Sequence, residues 1–231
     1  MTRRLHPELL DQLPPDDPRA LRSRRDLQRL NGWMGNVGAM ARELHRAFEG
    51  RPPRRIVDLG GGDGTFLLGV ARRLPADWQA VEVESLDRQP LLQADTREAM
   101  ARLGWQVETT QADVFDWLRR PAGAPSDAML GNLFLHHFSQ AQLTELLSAA
   151  SRRARVFAAL EPRRAPLPLA CSRMLWLIKC GGVTRHDAPV SVRAGFAGHE
   201  LSALWPAGPS WSLRERRAGL FGHLFVARRR A

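Results

Sequence analysis

Within the first third of the chain, the spacing of the apolar residues changes from a continuous run to a helical repeat. Residues 56–59 are a mostly apolar run, residues 60–64 are glycine except for Asp63, and apolar side chains then recur three and four positions apart. This pattern predicts a buried strand, a tight turn and a helix. A glycine-rich turn lets the backbone approach a ligand closely, and the following helix N-terminus offers free N–H groups. The stretch therefore predicts a nucleotide-type cofactor site, with a generic βα turn as the alternative.

The same succession of short strands and helices repeats downstream. The further predicted strands lie at residues 78–86, 105–109, 127–134 and 155–160, and the helices between them at residues 91–103 and 139–150. Such alternation predicts an α/β fold with a doubly wound parallel sheet, whose ligands bind beyond the carboxyl ends of the strands. Residues 211–217 and 220–228 alternate well enough to predict a closing β-hairpin.

Two segments flank this core. Residues 1–50 predict a helical cap, with one helix starting at Asp17 and Pro18, a break at Asn31 and Gly32, and a second helix that ends near Gly50. The main domain is then expected to span residues 51–231. Within it, the pattern predicts an apolar helix over residues 167–178, a polar turn at 184–187, and short helices at 190–196 and 200–205. A turn-rich loop is predicted at residues 121–126.

Composition narrows the class of protein. The 231 residues suit one α/β domain with additions. The net charge of +10 comes almost entirely from arginines spread along the chain, which leaves a nucleic-acid or anionic-membrane partner open. Cys171 and Cys180 are expected on one helix, about 13 Å apart, and therefore as buried thiols rather than a disulfide. No apolar run reaches the roughly 20 residues of a membrane span, so a cytoplasmic location is expected.

The spacing of the glycines identifies the cofactor class. A dinucleotide fingerprint requires glycine or alanine where this chain has Thr65. The chain has instead Asp58-x-Gly60-x-Gly62-x-Gly64, which resembles motif I of the class I S-adenosylmethionine-dependent methyltransferases. The resemblance covers residues 54–161 through ordered motifs. It implies a Rossmann-like seven-stranded sheet, with the C-terminal hairpin that sets these methyltransferases apart from dehydrogenases.

The resemblance also implies a cofactor site for S-adenosyl-L-methionine. Asp58 would lie near the amino-acid end of the cofactor, Asp87 would accept hydrogen bonds from the ribose hydroxyls, and Asp113 would accept one from the adenine amino group. The full set of expected cofactor-binding residues shares a position at the ends of the first four strands: Asp58, Gly60, Gly62, Gly64, Asp87, Arg88, Asp113, Val114 and Asn132.

Three histidines are candidates for a general base. Removing a proton from a hydroxyl acceptor near neutral pH suits an imidazole. His137 and His136 follow the fourth strand in a Leu-His-His segment that resembles the one at this place in several small-molecule methyltransferases, and His186 stands beside Asp187. In extended backbone only one of His136 and His137 would face substrate. A purely structural histidine remains the alternative. No carboxylate cluster or spaced Cys and His ligands can be assembled, so no metal is expected.

The acceptor is expected to be small and apolar or aromatic, since residues 165–205 correspond to the insert that commonly builds the acceptor pocket in this family. The favoured reaction is O-methylation of a phenolic or polyketide-like secondary metabolite. The alternatives are C-methylation of a quinone precursor, methylation of an rRNA or tRNA base, and a non-catalytic cofactor-binding protein. Peripheral membrane association, and a monomer or a homodimer, also stay open.

Overall fold

A seven-stranded sheet with helices on both faces forms the centre of the molecule. The computed structural model describes residues 1–121, 125–206 and 208–230. The strands are β1 (Arg55–Leu59), β2 (Val81–Asp87), β3 (Trp105–Gln111), β4 (Ser126–Asn132), β5 (Ala154–Pro162), β6 (Trp211–Ala218) and β7 (Gly222–Arg229). Their order across the sheet is β3-β2-β1-β4-β5-β7-β6.

The direction of the strands confirms the predicted fold class. β1 to β5 pair in parallel, β7 runs antiparallel to β5, and β6 runs antiparallel to β7. β6 and β7 form the predicted closing hairpin. Strand order reverses between β1 and β4, and in open α/β sheets this switch point opens a crevice at the carboxyl ends of the strands.

Nine α-helices accompany the sheet in the described part of the chain. They are α1 (Pro18–Met34), α2 (Asn36–Ala47), α3 (Thr65–Ala71), α4 (Ala94–Arg102), α5 (Val114–Arg119), α6 (Gln140–Arg153), α7 (Pro166–Arg173), α8 (Gly182–Ala194) and α9 (Glu200–Leu204). Short 3-10 turns lie at Leu10–Gln12, Leu135–His137 and Leu175–Ile178. Among the described helices, none is both long and apolar enough to cross a membrane.

The core consists of two apolar clusters, one on each face of the sheet. Side chains of a strand alternate between the faces, so Ile56 joins the cluster under α2, α3 and α4, while Val57 and Leu59 join the cluster under α5 and α6. Both clusters are fully buried at these three positions. Because both faces of each strand are buried, the strands appear in the sequence as nearly continuous apolar runs.

The first helix begins where the sequence predicts and ends later. Asp17 caps α1 by accepting a hydrogen bond from the Arg19 backbone N–H, and Pro18 occupies its first turn. The helix runs through Asn31 and Gly32 and stops at Gly35, whose φ of 71° is left-handed. The predicted break is therefore wrong by one turn, because a glycine inside a helix is tolerated whereas a left-handed glycine ends it.

The region 165–205 departs most from the sequence prediction. The apolar stretch is two elements, α7 and the 3-10 turn Leu175–Ile178, instead of one helix, and Cys171 and Cys180 therefore do not share a helix. Both thiols are free; Cys180 is buried and Cys171 is half-buried. The predicted polar turn at 184–187 lies inside α8, a 13-residue helix that contains Pro189.

Tertiary contacts explain why α8 extends across a proline. Thr184 and Asp187 on its first turns are buried and hydrogen-bonded to α1 and to the N-terminal segment, residues 1–12. The sequence predicts a helix only from residue 190, whereas α8 begins at Gly182 and includes Pro189. The predicted loop 121–126 includes residues 122–124, which lie outside the described residues.

Candidate active site

A cavity of about 700 Å³ opens at the carboxyl ends of the parallel strands. Its walls come from the loops after β1 to β4 and from α1, α7, α8 and the N-terminal segment. The predicted site residues that line it are Gly60, Asp87, Arg88, Asp113, Val114, His136 and His137. The predicted site residues outside its lining are Asp58, Gly62, Gly64, Asn132 and His186.

The glycine turn is shaped by its neighbours as much as by the cavity. The backbone N–H groups of Gly60 and Gly61 donate to the Leu86 carbonyl, with N···O distances of 2.8 and 3.2 Å. A Cβ at residue 60 would lie 2.3 Å from the Phe134 ring, and one at residue 61 would lie 2.2 Å from Ser85 Oγ. Close packing of the turn on β2 and on the segment after β4 therefore demands glycine here, and Gly60 also reaches the cavity.

Asp87 connects the turn to the end of β2. Its Oδ2 accepts a hydrogen bond from the Gly62 N–H at 3.0 Å, and its Oδ1 accepts one from the Gln89 N–H at 2.9 Å. A carboxylate oxygen has two lone pairs, so each oxygen keeps capacity for a ligand hydroxyl. Gly62 and Gly64 shape the turn without lining the cavity.

Asp113 and Val114 follow β3 at the start of α5. The Asp113 carboxylate caps that helix by accepting a hydrogen bond from the Phe115 N–H at 2.8 Å. Val114 is the first residue of the helix and is buried. The cap fixes the direction of the carboxylate beside the cavity, as an N-cap residue requires.

Asp58 lies beneath the turn and is buried. Burial raises the pKa of Asp58 to about 7, and the negative charge of Asp87 adds to this effect. The sequence could not indicate this shift, because it depends on the protein that surrounds the carboxyl group.

Asn132 at the end of β4 lies away from the cavity lining. Its Oδ1 accepts a hydrogen bond from Asn36 Nδ2 at 3.4 Å, and the same Asn36 nitrogen also donates to Asn31 Oδ1 at 3.0 Å. Asn36 Oδ1 is buried and has no hydrogen-bond partner among the described residues. The three asparagines link the α1–α2 junction to the sheet.

A buried carboxylate organises the segment after β4. Glu161 on β5 has an exposed fraction of 0%, and it accepts hydrogen bonds from the backbone N–H groups of residues 134–136 at 3.0, 2.8 and 3.2 Å. The 3-10 turn Leu135–His137 is thereby fixed against the neighbouring strand. The partners of Glu161 follow only from the pairing of β4 with β5, which brings the segment after β4 beside it.

His136 is held by carboxylates at both ring nitrogens. Its Nδ1 lies 2.8 Å from Glu161 Oε2, and its Nε2 lies 3.3 Å from Glu8 Oε1. Burial by itself would lower the pKa of His136, but hydrogen bonds with Glu161 and Glu8 and their charges outweigh it and raise the pKa to about 9. Burial would likewise raise the pKa of Glu8, yet His136 and Ser191 lower it to about 2. At neutral pH His136 is therefore a buried cation between two anions.

His137 lines the cavity beside His136. The two ring centroids are 4.2 Å apart with the rings tilted by 35°, and His137 Nδ1 lies 3.2 Å from Asp11 Oδ2. The expectation that only one of the two histidines faces substrate assumed extended backbone, whereas the backbone here is a 3-10 turn and both residues line the cavity. When Nδ1 carries its proton towards Asp11, Nε2 is left as an acceptor.

His186 contacts Asp187, with Nδ1 2.8 Å from Oδ1, but it is half exposed and lies outside the cavity lining. Asp187 instead accepts hydrogen bonds from the backbone N–H groups of Leu9 and Leu10, both at 2.9 Å. Asp187 therefore anchors the N-terminal segment to α8.

Sequence reasoning missed Glu8 and Asp11. They lie in a segment without periodicity, and their contacts with His136 and His137 span more than 120 positions along the chain. Arg3 also fixes this segment by donating to the carbonyls of His136 and Phe138, at 3.1 and 2.9 Å. No local signal distinguishes these residues from surface charges.

Glu8, His136 and His137 each offer one ligand atom, and these atoms lie within 4.8 Å of one another. Both nitrogens of His136 are already engaged by carboxylates, so a metal ion would have to displace the Glu8 hydrogen bond. The absence of a metal requirement stays a prediction.

Comparison with known sequences supports the interpretation of the strand–turn–helix pattern. Residues 56–156 match the profile of the family described as a methyltransferase domain. Comparison with curated protein sequences finds no match.

Solved structures share the fold at low sequence identity. An O-methyltransferase family protein from Burkholderia thailandensis is 20% identical with a TM-score of 0.58, and the match covers 94% of this chain and 61% of that one. The pyocyanin biosynthetic protein PhzM is 18% identical with a TM-score of 0.57, over 93% of this chain and 60% of that one. Magnesium protoporphyrin IX methyltransferase from Synechocystis PCC 6803, with bound SAH, is 14% identical with a TM-score of 0.52, over 86% and 84%. The chain thus spans about three fifths of the first two proteins.

The raised pKa of Asp58 predicts a pH-dependent stability. Its folded-state pKa of about 7 lies above the ordinary value of 3.8, so Asp58 favours the folded state at low pH, and this contribution is lost as the pH rises from about 4 to 7. We expect Asp58→Asn to raise the melting temperature relative to the parent protein at pH 8 more than at pH 5. Asp95→Asn on the exposed first turn of α4 serves as the control. An equal shift at both pH values would contradict the assignment.

Proposed function

We propose that the chain O-methylates a phenolic or polyketide-like small molecule with S-adenosylmethionine, since residues 56–156 match the methyltransferase-domain profile and solved methyltransferase structures share its fold. The observation that carries this proposal is the pair of His137 and Asp11 in the same cavity as Asp87 and Asp113. One cavity thus combines an imidazole that can accept a proton with carboxylates that suit a nucleoside.

The residues present fit S-adenosyl-L-methionine. Carboxylates after two successive strands, Asp87 and Asp113, converge on the cavity beside Gly60, and they would hold the ribose hydroxyls and the adenine amino group. Val114 and Arg88 would flank these groups, and Asp58 beneath the turn would favour a cationic amino group. When bound, the cofactor supplies an electrophilic methyl group on a sulfonium sulfur.

His137 is proposed as the general base, with Asp11 as its positioning residue. A hydrogen bond from Nδ1 to Asp11 orients the ring and leaves Nε2 to take the acceptor proton. A phenol has a pKa of about 10, so a base that removes its proton as the methyl group transfers is useful near neutral pH. Holding the acceptor in line with the methyl group supplies much of the remaining rate.

His136 is assigned a different role. Because it is protonated at neutral pH and bridges Glu161 and Glu8, it positions the 3-10 turn and the N-terminal segment. It therefore cannot accept a proton in the reaction without first losing one. The proposal therefore assigns the general-base role to His137 rather than to His136.

The acceptor is proposed to bind among the helices of the cap, residues 1–50, and the insert, residues 165–205. Both contribute apolar walls to the cavity. The apolar residues that they supply include Leu27, Leu30, Trp33, Met34, Leu175, Ile178 and Val192. Apolar walls with a limited number of polar groups to fix orientation suit a small aromatic acceptor.

A screen of acceptors tests the reaction. We expect the purified protein to transfer labelled methyl groups from S-adenosylmethionine to phenols, and to retain activity in EDTA. Quinone precursors, total RNA and a reaction without acceptor complete the panel. Transfer to RNA alone, or to a quinone ring carbon alone, would contradict the proposed substrate class, and loss of all transfer in EDTA would contradict metal independence.

Variants of the His137–Asp11 pair test the base. His137→Ala should lower kcat by about 100-fold or more, because general-base catalysis contributes at least that factor, while cofactor affinity is retained. Asp11→Asn should lower kcat by about tenfold and shift the pH profile of kcat, since it alters the orientation and basicity of the ring. His186→Ala is the matched control, because His186 also pairs with an aspartate but lies outside the cavity lining. Undiminished turnover in His137→Ala would show that His137 is not the general base.

Calorimetry of Asp87 variants tests the cofactor site. Asp87→Asn keeps an acceptor oxygen for the Gly62 N–H but loses the charge, and we expect cofactor affinity to fall by about tenfold or more. Asp87→Ala should weaken binding further, because it also removes the contact that holds the turn. Asp95→Ala, on the surface of α4, should bind like the parent protein. Unchanged affinity in both Asp87 variants would rule out the ribose assignment.

A further inference from the structure

The rim of the cavity carries large exposed apolar side chains, of which only Trp33 also lines the cavity. Trp33, Met174, Trp176 and Leu177 are 65%, 51%, 58% and 53% exposed. Ordinary surfaces bear single exposed apolar residues, but a contiguous group of large ones marks a site of interaction.

The 3-10 turn Leu175–Ile178 is apolar on both of its sides. In a 3-10 helix, residues three apart lie above one another, so Leu175 and Ile178 share a side, and both line the cavity. Trp176 and Leu177 consequently face outward. The same turn thus forms the wall of the cavity and an apolar outer surface.

Arginines of α1 border this outer surface. Arg22 and Arg25 are exposed, stand one helical turn apart, and form no salt bridge among the described residues. Arg22 donates to the Lys179 carbonyl at 3.2 Å, which places α1 directly beside the turn. Arg29, one turn before Trp33, reaches the Ile178 carbonyl at 3.5 Å.

From these observations we propose that the apolar-basic face, comprising Arg22, Arg25, Trp33, Met174, Trp176 and Leu177, docks on an anionic lipid bilayer with the cavity mouth towards the membrane. Tryptophan and long apolar side chains insert at the lipid interface, while arginines bind the anionic headgroups. This charge complementarity favours a bilayer over a second copy of this chain, whose own basic face would repel it.

Docking in this orientation gives a lipophilic acceptor a direct route from the bilayer to the cavity. This consequence rests on the proposed function, whereas the docking itself does not. Vesicle binding therefore tests the docking without any measurement of turnover.

Cosedimentation of the full chain with vesicles tests the apolar part of the face. We expect binding to vesicles of phosphatidylglycerol and phosphatidylcholine, and at least about tenfold weaker binding by Leu177→Glu, since an inserted leucine is replaced by an anion. Leu213→Glu, at an exposed leucine of the edge strand β6, is the matched control and should bind like the parent protein. Equal losses in the two variants, or equal binding to pure phosphatidylcholine vesicles, would overturn the proposal.

Two double variants with the same change in net charge test the contribution of the arginines to vesicle binding. Arg22→Glu with Arg25→Glu should weaken binding by about tenfold or more relative to Arg72→Glu with Arg73→Glu, which changes the net charge equally at the far end of α3. Equal effects would mean that net charge, not this face, attracts the vesicles. A dimer in solution that Leu177→Glu dissociates, without vesicle binding by the parent protein, would assign the face to a second copy and overturn the proposal. Melting temperatures and cofactor titrations verify that each variant is folded.

Discussion

The site depends on a buried carboxylate, Glu161, near the end of strand β5. It receives three backbone N–H groups from the segment after β4 and one imidazole N–H. A buried carboxylate is costly unless its lone pairs are satisfied, so these partners are strongly preferred in the folded state. This one interaction sets the path of residues 134–136 and hence the position of both histidines.

The consequences of that interaction spread in two directions. On the side of the sheet, the fixed segment 134–136 places the Phe134 ring so close to the glycine turn that only glycine fits at residue 60. Towards the surface, the His136 cation attracts Glu8 and with it the N-terminal segment, which Asp187 ties to α8. The contact of His137, the proposed general base, with Asp11 therefore forms only because the first residues of the chain fold back over the cavity.

The charged residues of the site form two groups with different electrostatic roles. Asp58 is buried beneath the glycine turn and lies close enough to the Asp87 carboxylate for that charge to add to the rise in its pKa, an arrangement that suits a cationic ligand group. On the other side, the His136 cation is held between the carboxylates of Glu8 and Glu161 in a buried hydrogen-bonded cluster. The first group suits ligand binding, and the second fixes the segment that carries His137.

The sequence by itself determined the α/β fold, the closing hairpin and the loops that carry Gly60, Asp87 and Asp113, because these follow from local periodicity and from turn chemistry. It could not determine the partners of the histidines, the helix that runs through Pro189, or the roles of Glu8 and Asp11. Those depend on contacts between segments more than a hundred residues apart, on burial that shifts pKa values, and on the pairing of β4 with β5. Only the tertiary structure decides such features, because the free energy of a charged side chain depends on what surrounds it in the folded protein and not on its neighbours in sequence.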